Sequence, residues 1–142
     1  MTLERLLARL LSEFAKATDP QTRDRLALEL ADTEMDEAKE AIVKALRDPA
    51  TKGHRGTLVY ALQGFECGDI VPELIECVVV GSYEECEHAV TILHCLDAIN
   101  DVEDRAVCRA AYERLDDARS WVSGWRQLAI RECLPMFKFA AV

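Results

Sequence analysis

Apolar residues recur at helical spacing along nearly the whole chain. Leu3, Leu6, Leu7, Leu10, Leu11 and Phe14 follow the i, i+3, i+4, i+7, i+8, i+11 series, one stripe down one face of a helix. Asp19-Pro20 ends that helix. The pattern predicts a second helix over 21–31, carrying Leu26, Leu28 and Leu30, and a third over 35–47, carrying Ile42, Val43 and Leu46. Asp48-Pro49 breaks the third, a loop closes near Gly53, and a fourth helix spans 54–65. Gly64 and Gly68 flank a short turn. Ile70-Val71-Pro72 then opens a fifth helix, with proline in the first turn, where its missing N–H is harmless. Gly81-Ser82 stops it, and Ser82 caps a sixth that runs to about residue 99. Asn100-Asp101 reads as a turn and N-cap, followed by a seventh helix over 102–118. Ser120 caps an eighth that reaches about residue 135. No period-two alternation bounded by turn dipeptides occurs, and no Asn-Gly or Asp-Gly hairpin signal. The expected class is all-α.

The pattern also repeats. A shift of 32 residues places Arg23, Leu26, Leu30, Ile42 and Leu46 on Arg55, Leu58, Leu62, Leu74 and Val78; a further shift of 34 places Leu58, Ala61, Leu62 and Phe65 on Ile92, Cys95, Leu96 and Ile99. Asp19-Pro20 and Asp48-Pro49 mark the starts of two units. Each unit is a helical hairpin that cannot bury its apolar face alone, so neighbours stack.

Ala61-Leu62-Gln63-Gly64-Phe65, continued by Gly68-Asp69-Ile70-Val71-Pro72-Glu73-Leu74-Ile75, resembles the turn and second helix of a HEAT-like repeat, and Asp48-Pro49 resembles its usual start. The resemblance covers about 19–99. It implies a short right-handed α-solenoid of about eight helices stacked as hairpins: an N-terminal capping helix at 1–18, a repeat core at 19–99 and C-terminal capping helices at 100–142. It further implies that the second helices line a concave, partner-binding surface. It implies no single activity.

Charge sharpens this picture. From Gly56 to Asp104, 49 residues, there is no lysine or arginine, while eleven carboxylates occur among interleaved apolar runs. The chain carries 17 − 26 = −9 overall, and residues 118–142 alone are +3. A folded acidic block steers cationic partners. It speaks against nucleic acid, which needs clustered Lys and Arg, and against anionic membrane surfaces. The first residues are broken by Glu4, Arg5 and Arg9, unlike a secretory signal, and no run is long enough to span a bilayer. The chain reads as soluble and cytoplasmic, so its six cysteines are expected as reduced thiols.

Motifs for chemistry are sparse. Cys86-Glu87-His88 and His94-Cys95 share one expected helix, but Cys86 and Cys95 fall on opposite faces of it, and no Cys-x-x-Cys or His-Glu-x-x-His occurs. The cysteines read as small core residues, Cys95 among them by its match to Ala61. There is no Gly-x-Ser-x-Gly and no phosphate loop. No catalytic residue, metal or cofactor is assigned. Of the acids, Asp69, Glu73 and Glu76 form an expected exposed ridge on the fifth helix. Glu84, Glu85 and Glu87 crowd the start of the sixth, where the helix dipole also favours them. Glu103 and Asp104 begin the seventh. Trp121 and Trp125, four apart on the last helix, share a face that either closes the core or anchors an interface.

The expectation is therefore a non-enzymatic binding module that presents these ten residues to a basic protein. One concrete form is an immunity protein covering the basic groove of a toxin or nuclease domain. A general scaffold, and a lyase-like HEAT-repeat accessory protein acting on a small molecule, are the alternatives.

Overall fold

A computed structural model describes residues 2–141, without the side chains of Ile99 and Ala141. All regular structure among the described residues is helical: α1 Leu3–Lys16, α2 Pro20–Asp32, α3 Asp36–Arg47, α4 Gly56–Ala61, α5 Val71–Val80, α6 Tyr83–Cys95, α7 Ala98–Asp101, α8 Arg105–Ala118 and α9 Trp125–Phe137, with short 3-10 turns between and after them. The chain divides into two compact units, Met1–Phe65 and Glu66–Val142, a boundary that falls inside the stretch read as repeat core.

In the first unit, α1 packs on α2 and α3, and α4 packs on α2 and α3. The α1 stripe buries Leu7, Leu10 and Phe14, half-buries Leu6 and Leu11, and leaves Leu3 exposed. Thr2 caps α1, its hydroxyl oxygen accepting from the Arg5 N–H at 3.2 Å. Asp19 caps α2 ahead of Pro20, accepting from the Thr22 N–H at 3.1 Å; hydrogen bonding to Thr22 holds its carboxyl below the usual range. The Arg23 guanidinium donates to the His54 carbonyl and pairs with Asp24 at 2.9 Å, which ties the loop before α4 to α2. The fourth helix is shorter than its apolar pattern implies: Leu62–Gly64 tightens into a 3-10 turn before the extended Phe65.

The second unit is a four-helix arrangement. Helix α5 packs on α6 and α8, α9 packs on the same two, and α5 and α9 also touch each other. Its core takes Ile70, Val71, Leu74, Ile75 and Val78 from the start and inner face of α5, as their spacing requires. Ile92 and Leu93 join from α6, Leu115 from α8, and Ile130, Cys133 and Phe137 from α9. Helix α6 ends at Cys95, short of the expected 99. Ala98–Asp101 forms the separate turn α7, where Asp101 accepts from the N–H of the preceding Asp97 at 2.8 Å. Asp101 therefore caps α7, and Asp104 caps α8, accepting from the Ala106 N–H at 2.9 Å. The match of Phe65 to Ile99 involves a side chain outside the described ones. No helix of the described residues is long and apolar enough to cross a membrane.

Candidate functional site

The acidity lies in one unit. Residues 1–65 carry 10 − 11 = −1, and residues 66–142 carry 7 − 15 = −8. Helix packing then distributes those acids among different tasks.

Glu85 is a correction. Its side chain is 1 % exposed, and it closes a reciprocal cap with Ser82: the Glu85 N–H donates to Ser82 Oγ at 3.2 Å, and the Ser82 hydroxyl donates to Glu85 Oε2 at 3.0 Å. It holds the start of α6 and offers nothing to a partner. Asp104 is exposed but its carboxylate caps α8, and Glu103 is exposed beside it. Asp69 and Glu76 are exposed, whereas Glu73 between them is half-buried. Glu76 is not an unbalanced charge, because Arg114 of α8 reaches it at 3.1 Å. That ion pair stands at one end of a shallow apolar groove of about 450 Å3 between α5 and α8, lined otherwise by Pro72, Ile75 and alanines of α8 with Val107.

The tryptophan pair is the second correction. Ser120 does not cap the last helix; its hydroxyl donates to the Asp117 carbonyl at 2.8 Å, closing α8. Helix α9 starts at Trp125, behind Gly124 at φ 64°, a left-handed conformation that glycine adopts without strain. Trp121 therefore lies in the preceding turn, with its indole N–H on Asp117 at 3.3 Å, and does not share a helix face with Trp125. Neither ring closes the core: Trp121 is 54 % exposed and Trp125 41 %.

Trp125 belongs instead to a second groove, of about 370 Å3, between α6 and α9. Tyr83, Cys86, Glu87, Val90, Thr91 and His94 form one continuous face of α6; Trp125, Leu128, Ala129 and Glu132 form one face of α9. The Tyr83 and Trp125 rings meet edge to face, 5.1 Å between centroids. Tyr83 and Leu128 are about three-fifths exposed, large apolar groups left open to solvent. At the far end His94 Nε2 and Glu132 Oε2 lie 3.2 Å apart, bridging the two helices, while Glu87 lines the groove one turn after Tyr83. Glu84 lies one turn back on α6, 3.8 Å from His88.

Arg126 fixes the aromatic end. Its guanidinium donates to the carbonyls of Val78 at 2.8 Å and Gly81 at 2.5 Å, capping the C-terminus of α5, and it lies 4.5 Å from the centre of the Trp125 ring. Tyr83, His94, Arg126, Leu128 and Glu132 were not selected from the sequence. The legible signal was the 3.6-residue spacing of 83, 86, 87, 90, 91 and 94, a helical face of mixed chemistry rather than a core stripe.

The cysteines separate in the same way. Five are buried and Cys95 is exposed, which corrects its assignment to the core. Burial pushes the Cys86 thiol up to about 11 and the Cys133 thiol up to about 12, so neither offers a thiolate near neutrality although Cys86 borders the groove. Maleimide titration of the native protein is expected to label Cys95 rapidly and the other five only on denaturation. Rapid labelling of Cys86 would contradict its placement. Among the described residues no group of three or more His, Cys, Asp or Glu side chains is placed to hold a metal ion.

Compared with protein-family models, with curated proteins and with solved structures, the chain matches none of them.

Proposed function

We propose that the chain is a non-enzymatic protein-binding module whose α6/α9 groove takes a basic, amphipathic segment of a partner protein. The carrying observation is the pairing, in one groove of a −8 unit, of solvent-open Tyr83, Trp125 and Leu128 with the carboxylates Glu87 and Glu132. Large exposed apolar groups rimmed by charge are the usual mark of a docking site. The field of the unit speeds the approach of a cation, and the rings supply contact area once it arrives. A toxin domain with a basic substrate groove is one partner with this chemistry. The HEAT-like solenoid of stacked hairpins belongs to the same reading, supported by the 32- and 34-residue spacings and by the packing of α5 on α6 and of α8 on α9. In this reading the ridge of Asp69, Glu73 and Glu76 is a secondary contact, since Arg114 already offsets part of its charge.

The test is titration with an amphipathic leucine–lysine peptide and with its twin in which every lysine is glutamine, followed by tryptophan fluorescence. The lysine peptide is expected to bind, at least about tenfold more tightly at roughly 50 mM salt than at roughly 300 mM, and the glutamine twin to bind weakly at both. Equal binding of the twins would remove the charge from the account.

A further inference from the structure

We infer that the α6/α9 groove receives a single lysine or arginine side chain of the partner, and that His94 is an internal competitor which that cation must displace from Glu132. This rests on the reading of the groove as a docking site for a basic segment, and adds what the anchor is and what opposes it.

The shape selects the anchor. Between the aromatic end and the carboxylate end the groove is lined by Val90, Ala129, Leu128 and the buried Cys86. An apolar stem with a charged tip matches that order: methylenes against the aliphatic floor and cation against Glu132, with Glu87 adding negative charge along the same wall. A shorter polar residue would leave the floor uncovered, and an anionic one would face two carboxylates.

His94 already occupies the position such a tip would take. Its Nε2 lies 3.2 Å from Glu132 Oε2, and both side chains are more than half exposed, so the pair opens without unfolding. As the imidazole gains its proton the pair becomes an ion pair, and an incoming cation must then displace a like charge from the same oxygen. The other titratable or charged groups of the groove are Glu87, Tyr83 and Cys86 on α6, with Arg126 at the opposite, aromatic end on α9. Helix α5, which packs on both α6 and α9, and helix α8, which packs on α9, lend no lining residue, and Glu76 of α5 is paired with Arg114 of α8. Only His94 among these faces Glu132 as a proton-dependent cation. Protonation therefore closes the groove to a basic anchor, and neutral imidazole opens it.

The experiment measures the affinity of the leucine–lysine peptide at about pH 8 and about pH 5.5 for the intact chain, for His94→Gln and His94→Ala, and for His88→Gln as a control on the neighbouring histidine. The unsubstituted chain and His88→Gln are expected to bind about two- to fivefold more weakly at the lower pH, the range an exposed charge pair commands, while both His94 variants bind equally at the two. Peptide binding that keeps its full pH dependence in His94→Gln and His94→Ala overturns the competitor and leaves the docking groove standing. Absence of lysine-dependent binding at either pH overturns both.

Discussion

Gly68→Ala is expected to lower the stability of the 66–142 unit by about 3 kcal/mol, read as a loss of more than about 10 °C in its melting temperature. A methyl group at residue 68 would run into the carbonyl oxygen of Asp101 and stand 3.0 Å from its carbonyl carbon. Both groups are backbone, so no rotamer change relieves the overlap. Relief requires α7 to move, and α7 is held by the Asp101 carboxylate on its own first turn. Gly68 is buried in the short turn that leads into α5, so the displacement passes directly to the start of that helix. Gly64→Ala is the matched control: a methyl there meets nothing within 4 Å. Differential scanning calorimetry of the two variants checks the prediction, and equal melting temperatures would contradict the close approach of residues 68 and 101.

Arg126→Met is expected to cost about 2 to 3 kcal/mol, because hydrogen bonds from a charged donor contribute about that much and two carbonyls at the end of α5 lose it together. Methionine keeps an unbranched apolar side chain, so the loss isolates the guanidinium. The same substitution is expected to weaken peptide binding at least about threefold even where the chain remains folded, since Arg126 ties the first turn of α9 to the end of α5 and stacks on Trp125. Arg126→Lys is expected to recover only part of either effect, because a single ammonium does not span two carbonyls as a planar fork does. Urea unfolding and peptide titration measure the two consequences separately. A variant as stable as the unsubstituted chain would contradict the capping role.

The helices themselves were legible because apolar spacing and caps act locally. Ser82 caps α6 as its residue type announced, and Asp19, legible only as the end of the first helix, caps α2 as well. The errors come where a local signal met a competing one. Ser120 is a good N-cap residue, but its hydroxyl is used on Asp117 to close α8, and Gly124 sets where α9 begins. That shift of a few residues took Trp121 off the helix and placed the two rings, expected on one helix face, on separate elements, both exposed. Glu85 had the right charge for a binding surface and the right offset for a cap; the offset won, since a buried carboxylate has to be hydrogen-bonded. The groove was the least legible part. Each of its walls is a regular helical face in the sequence, but only the packing of α6 on α9 brings Glu87 and His94 into one cleft with Trp125 and Glu132. The same holds for the lysine-free stretch. Its one-signed charge is real along the chain, yet α8 and α9 bring Arg114 to Glu76 and Arg126 to the end of α5, so the acidity that faces outward is narrower than the eleven carboxylates implied.

Affinity for the leucine–lysine peptide in two charge-matched double variants tests the central claim most directly. Glu87→Lys with Glu132→Lys alters the groove, whereas Glu37→Lys with Glu40→Lys makes the same change of net charge on exposed positions of α3 in the other unit. If the α6/α9 groove is the docking site, the first pair loses at least about tenfold in affinity and the second less than about twofold at physiological salt, where screening confines the effect of a charge to its neighbourhood. Equal losses in the two variants would contradict it, showing that the peptide responds to the net charge of the chain and not to this groove.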